Sequence, residues 1–336
     1  MSDFRSTSGP ATGAATGSHA GATSISLVLG SGGARGLAHI GIIQWLDAHG
    51  FRIQSIAGSS MGALVGGIYA AGELPAYRDW VCALQRTDVL RFLDIAWRSS
   101  GLLKGDRIMD TLRELVGEHL IEDLPVDFTA VATDIDRQRE VWLARGPLFD
   151  AIRASIAVPT VFTPHRYLGL RLVDGGLLNP VPITPTFRDL TELTIAVNLN
   201  GTAAGMPWPR QAPPKLPEPA PAEAPPVADG VQGNDLRGRI RTFLDEVGRS
   251  FKSTGDGDDD LDMFELMSRS LETMQNAVAA VKLAAYAPDV IINIPRDACQ
   301  AHEFHRAQEM IELGEQLAGR ALGSFGRRMA EGADGG

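Results

Sequence analysis

The chain has 336 residues, 44% hydrophobic and 21% charged, which are ordinary globular proportions and exclude wholesale disorder and collagen-like repeats. That length makes one large domain or two modest ones with a sizeable core. The 31 basic residues against 41 acidic ones give a formal net charge of −10, which argues against a dedicated nucleic-acid binder.

In chain order, residues 1–23 are mostly Gly, Ala, Ser and Thr, with no Leu, Ile or Val, and read as a disordered tail without the apolar core of a signal peptide. A β-branched and aliphatic strand is predicted at 25–29, then a glycine-rich loop, Gly30-Ser31-Gly32-Gly33-Ala34-Arg35-Gly36. A helix follows to about residue 49, with Leu37, Ile40, Ile43 and Leu46 on one stripe. A second strand at 53–57 runs into Gly58-Ser59-Ser60-Met61-Gly62 and an apolar, small-residue helix. Strand, turn, helix, strand, turn, helix is the pattern of a parallel sheet with crossover helices.

Further helices are expected near 75–85, 106–118 and 147–155, and strands at 128–133, 140–143, 170–173 and 193–198. Residues 201–230 hold 9 of the 20 prolines, mixed with Ala and Glu, a composition that cannot bury enough apolar surface to offset ordering. Beyond an acidic run at 256–262 that lacks the spacing of a calcium-binding loop, a helix at 261–285, a strand at 290–294 and a closing helix at 304–322 are predicted. No stretch is apolar enough to span a membrane. The expected address is cytoplasmic, with peripheral membrane contact left open.

Three segments carry chemistry. Gly58-Ser59-Ser60-Met61-Gly62 fits G-x-S-x-G between strand and helix. Such a sharp turn lifts the Ser60 hydroxyl clear of the sheet at a helix N-terminus and needs glycines on either side. The first loop follows a strand and opens a helix, so several backbone N–H groups can converge on one anion. It fails a dinucleotide fingerprint, because Arg35 stands where the third Gly belongs and Ala57-Gly58 stands where a ribose-binding acid belongs. It is not a Walker A loop, since the chain has no Gly-Lys-Ser or Gly-Lys-Thr. Asp174-Gly175-Gly176 follows an apolar strand read as parallel, which puts the carboxylate at the strand's C-terminal end, within reach of a serine proton.

The remaining polar residues offer less. His19, His39, His49, His119, His165, His302 and His305 are read as surface or helix-cap residues, with no strand-end loop presenting His302 or His305 to Ser60. Cys82 and Cys299 cannot make a disulfide framework or a zinc site, and no cluster has metal-ligand spacing. No metal and no cofactor are expected. The segment 90–103 is apolar between charges and reads as core packing or as an acyl-chain cap.

Taken in this order, the three segments resemble the patatin-like phospholipases, especially the compact bacterial members. Ala132-Thr133-Asp134 and the run from Ile152 to Pro159 are also similar to family segments. The resemblance implies a three-layer α/β/α patatin-like core with a mainly parallel central sheet. It implies Ser60 as nucleophile and Asp174 as general base of a dyad, the amides of Gly32, Gly33 and Ala34 as oxyanion hole, and Arg35, Gly36, Gly58, Gly62, Gly175 and Gly176 as supporting motif positions. Ser31 departs from the family, where a third consecutive Gly is common, and would weaken the hole if that position required positive φ.

The activity implied is cleavage of lipid esters, of phospholipase A or lysophospholipase type, on a lipid or acyl-ester substrate. The alternatives are a general carboxylesterase or thioesterase, or a non-catalytic scaffold of the same fold. The organisation expected is a tail over 1–23, a catalytic core over 24–200, a Pro/Ala-rich insertion over 201–235, C-terminal helices and a strand completing the core over 236–323, and a tail over 324–336.

Overall fold

The computed structural model describes residues 22–85, 106–159, 161–202 and 263–333. The predicted cap at 90–103, the acidic run and most of the Pro-rich segment lie outside the described residues. The chain divides into two units, one of Met1–Ala204 with Gln275–Gly336, the other Gly205–Met274.

The first strand, β1 (Thr23–Leu29), is followed by α1 (Ala38–Ala48), β2 (Phe51–Ser59), α2 (Met61–Ala70), α3 (Leu74–Ala83) and α4 (Asp106–Val116). Next come β3 (Asp127–Asp134), β4 (Arg139–Leu143), α5 (Leu148–Ser155), β5 (His165–Tyr167), β6 (Leu170–Asp174) and β7 (Leu193–Gly201). The chain closes with α6 (Met263–Tyr286), β8 (Val290–Pro295) and α7 (Ala307–Ala333). One eight-stranded sheet runs in the order β5-β6-β3-β2-β1-β7-β8, with β4 also paired to β3. Strands β3, β2, β1, β7 and β8 are mutually parallel.

The period-two pattern of β1 decides the layering. Ile25, Leu27 and Leu29 join the larger core with residues of α1, α2, α5 and α7. Val28 belongs to a separate, smaller core with Val181, Ile183, Ala196 and Ala279, the last carried by α6. Helices therefore cover both faces, and the fold is the expected three-layer α/β/α arrangement with a mainly parallel sheet. Among the described residues no helix is long and apolar enough to cross a membrane.

Two strands correct the sequence reading. Asp174 does not end a parallel strand: β6 runs antiparallel to β3, pairing Ala132 with Asp174 and Asp134 with Leu172. The short strand β5, not anticipated, pairs Tyr167 with Leu170 and explains the reversal. The chain turns through Leu168 and Gly169, both at positive φ, and re-enters the sheet from the opposite end. Side-chain pattern carries no information on strand direction. A hairpin this short has too few residues to reveal its alternation. β4 is antiparallel to β3 as well.

Leu27 is fully buried at the sheet centre. Leu27→Ala is expected to destabilise the fold by about 2–5 kcal/mol, read as a lower urea midpoint with unchanged slope.

Candidate active site

The geometry begins with the elbow between β2 and α2. Ser60 has φ 54° and ψ −121°, a conformation unfavourable for any residue with a side chain. The fold holds it there by close packing. A side chain at Gly62 would meet the Leu29 carbonyl at 2.0 Å, and one at Gly36 would meet Met61 Cβ at 2.4 Å. The first loop and the elbow therefore touch almost backbone to backbone. The Ser60 N–H donates to Ser155 Oγ (2.9 Å), and Ser155 Oγ donates to the Val131 carbonyl (2.6 Å).

The Asp174 turn is built against the same place. Along one edge β3 pairs Val131 with Ser59 and the next residue, Ala132, with Asp174, while β4 occupies its other edge. The Asp174 N–H donates to the Ala157 carbonyl (2.9 Å), its own carbonyl accepts from Thr133 Oγ1 (3.1 Å), and its Oδ1 accepts from the Gly176 N–H (2.7 Å). A side chain on either following glycine would collide, at Gly175 with the Val131 carbonyl (2.0 Å) and Ser59 Oγ (2.7 Å), and at Gly176 with Ser31 Oγ (2.5 Å). That is the physical reason for Asp-Gly-Gly here. The end of α5 thus clamps both residues, Ser60 through the Ser155 hydroxyl and Asp174 through the Ala157 carbonyl.

Asp174 is buried, and its Oδ2 is sealed from solvent with no partner in full hydrogen-bond geometry. Burial pushes its carboxyl up to about 6, against the Ser60 hydroxyl and the Gly176 N–H, which both favour the charged form. The Ser60 hydroxyl thus lies beside the carboxyl without being aligned on it. No histidine is among the groups acting on Asp174. His39 is buried on α1 and donates through Nε2 to the Gly30 carbonyl (2.9 Å), with burial pushing its pKa down to about 4.

The glycine-rich loop is more committed than its sequence suggests. Gly30 N–H donates to the Val197 carbonyl (3.1 Å), Ser31 N–H to Pro180 (2.8 Å) and Ala34 N–H to Ala301 (2.9 Å). Of the three amides singled out, those of Gly32 and Gly33 have no partner among the described residues, whereas that of Ala34 is taken. Arg35 is buried and spends its guanidinium on the carbonyls of Leu199 (3.0 Å), Arg296 (3.2 Å) and Cys299 (3.3 Å) and on Asn200 Oδ1 (3.1 Å). It ties the loop to the end of β7 and to the segment after β8. Ser31 has no positive φ, so a serine there leaves the loop unstrained.

Sequence reasoning missed Ser155, Asn179 and Ala301. A serine at the end of an apolar helix was a usable sign for Ser155. Asn179 is fully buried, donates its N–H to the Gly175 carbonyl (2.8 Å) and its Nδ2 to Glu140 Oε2 (2.8 Å), while Glu140 pairs with Lys282 of α6. Ala301 acts through its backbone and left no sign at all. Among the described residues, no cluster of His, Cys, Asp and Glu is arranged to hold a metal ion.

The three-layer fold carries a serine elbow beside a buried Asp-Gly-Gly turn, and similarity to known proteins sets it among lipid hydrolases. The family model "Patatin-like phospholipase" matches residues 27–187. An uncharacterized NTE family protein of Mycobacterium tuberculosis is 39% identical over 90% of this chain and 92% of its own length. A patatin-like phospholipase domain-containing protein of Caenorhabditis elegans is 33% identical over 47% of this chain and 12% of its own. A lysophospholipase of Emericella nidulans is 32% identical over 47% and 11%. The chain belongs to the patatin-like phospholipase family.

Two stability measurements test this construction. Ser155→Ala leaves the Ser60 N–H and the Val131 carbonyl without a buried partner and is expected to cost about 1–3 kcal/mol in urea unfolding. His39 is neutral when folded down to about pH 4, while its unfolded ring binds a proton near its ordinary 6.5. Its contribution is whole above pH 6.5 and drains as the pH falls toward 4, by about 1.4 kcal/mol per unit. His39→Gln, which still donates to Gly30, should flatten that slope.

Proposed function

We propose that the chain is a serine acyl hydrolase that cleaves lipid ester bonds, of phospholipase A or lysophospholipase type, through a Ser60–Asp174 dyad. The observation that carries this reading is the Asp174 carboxyl: buried, with Oδ1 occupied by Gly176, Oδ2 unpartnered, and the Ser60 hydroxyl beside it. A solvated carboxylate is a poor base toward an alcohol. Desolvation raises its basicity toward the working pH, which is what a general base needs.

In the first step Ser60 Oγ attacks the ester carbonyl carbon as its proton passes to Asp174. The negative charge on the carbonyl oxygen is held by the Gly32 and Gly33 amides. The tetrahedral adduct collapses to an acyl-serine, and the leaving alcohol or lysolipid takes the proton from Asp174. Water, deprotonated by Asp174, then attacks the acyl-serine; the acid departs and the proton returns to Ser60. The strained Ser60 backbone and the Ser155 clamp keep the nucleophile aimed through both steps. The fungal lysophospholipase supports a lipid ester as substrate, and the acidic net charge suits no nucleic-acid partner.

Turnover of p-nitrophenyl esters of graded chain length and of phospholipids tests the reading. Ser60→Ala should abolish turnover and covalent labelling by a fluorophosphonate; a mutant that labels as well as the wild type sinks the assignment. Asp174→Asn should lower kcat by about 10²–10⁴-fold. Because the base must be ionised, kcat/KM should rise with pH through an apparent pKa of about 6 and level off above it.

A further inference from the structure

The loop offers the reacting carbonyl fewer amides than its glycines promise. Those of Gly30, Ser31 and Ala34 are bonded to Val197, Pro180 and Ala301, so only Gly32 and Gly33 point at no protein acceptor among the described residues. One more donor stands beside them. Ser31, the residue immediately before Gly32, is only 5% exposed, yet its hydroxyl makes no hydrogen bond to any described residue and is absent from the set of unpartnered polar atoms sealed from solvent. The Ser59 hydroxyl and Asp174 Oδ2 at the same turn are sealed.

The Ser31 hydroxyl rests on the Asp174 turn. A Cβ placed on Gly176 would lie 2.5 Å from Ser31 Oγ and 2.8 Å from Asp174 Oδ1. Gly176 has already given its N–H to that Oδ1. A hydroxyl that is free, open to the little solvent reaching this turn, one residue from the two free amides and against the turn that carries the proposed base is placed to meet substrate. Resting on the Ser60–Asp174 reading, we propose that Ser31 is a catalytic residue whose Oγ–H donates a third hydrogen bond to the oxygen of the reacting ester as it becomes negative. Donation of this kind moves no proton. It stabilises the tetrahedral adduct more than the neutral ester, so it belongs in kcat rather than KM. Ser31 then supplies the donor that Ala34, tied to Ala301, does not.

The test uses the full chain, p-nitrophenyl butyrate as substrate and an alkyl trifluoromethyl ketone as probe of the tetrahedral state. Ser31→Ala and Ser31→Gly keep the loop amides and remove the hydroxyl; having two variants guards against one that folds poorly. The expected result is a fall in kcat of about 10–1,000-fold, KM within about twofold, and ketone affinity reduced in step with kcat/KM. The pH at which kcat/KM rises should stay where it is in the wild type, because Asp174 is untouched. Wild-type kcat in both variants would overturn the proposal. So would a shifted rising limb with kcat recovered on the plateau, since Ser31 would then act by tuning Asp174. Failure of the parent reading looks different: Ser60→Ala or Asp174→Asn would themselves keep wild-type turnover.

Discussion

One edge of strand β3 carries both the strand that ends at Ser59, just before Ser60, and the strand that ends at Asp174, so the two meet end to end, and that pairing is the constraint on which the candidate site depends. Val131 faces Ser59 and the next residue, Ala132, faces Asp174 across the same edge, while β4 takes the other edge. With the register set, the hydroxyl and the carboxyl meet without either needing a long or flexible side chain. The Val131 carbonyl is shared by the arrangement: it accepts the Ser155 hydroxyl and lies so close to Gly175 that only a glycine fits. A one-residue slip of either strand would turn the side chain at its end to the other face of the sheet.

The surroundings of Asp174 illustrate what burial does to a carboxyl. Its backbone is fully tied down by Ala157 and Thr133, and one carboxylate oxygen is occupied by its own turn. The other oxygen is withheld from every protein donor aligned to bond it. An unpartnered buried polar atom is expensive, and a protein keeps one where strain and desolvation do something useful. The positive φ of Ser60 is a second such cost, met by close packing of the elbow against β1 and α5. His39 and Arg35 contribute from behind: one holds the first carbonyl of the glycine-rich loop, the other anchors the loop's far end to β7 and the segment after β8.

Most of the element order was legible in the residues. The strand-turn-helix repeats at the start, the apolar stripe of α1, the elbow between its glycines and the closing helix all follow from local spacing, because alternation and capping are short-range effects. Strand direction was not. Asp174 looked like the end of a parallel strand because an apolar run reads the same in either direction, and β5 was too short to betray the hairpin that reverses the chain. The loop likewise looked uniformly available. Three of its amides are in fact spent on the carbonyls of Val197, Pro180 and Ala301, distant partners with no side-chain signature.

By itself the sequence determined the class of fold and the residue types a site of this kind needs, since glycines at a tight turn, a serine between them and an Asp-Gly-Gly triplet are local demands of backbone geometry. Only the tertiary structure decided which of those groups are free to act. Hydrogen bonds between segments far apart in the chain took Ala34 out of reach, sent Arg35 to a supporting role, left the hydroxyl of Ser31 unbonded and enclosed Asp174 tightly enough to raise its pKa. Those outcomes depend on what packs against each group, and packing is a property of the folded chain rather than of any short stretch of it.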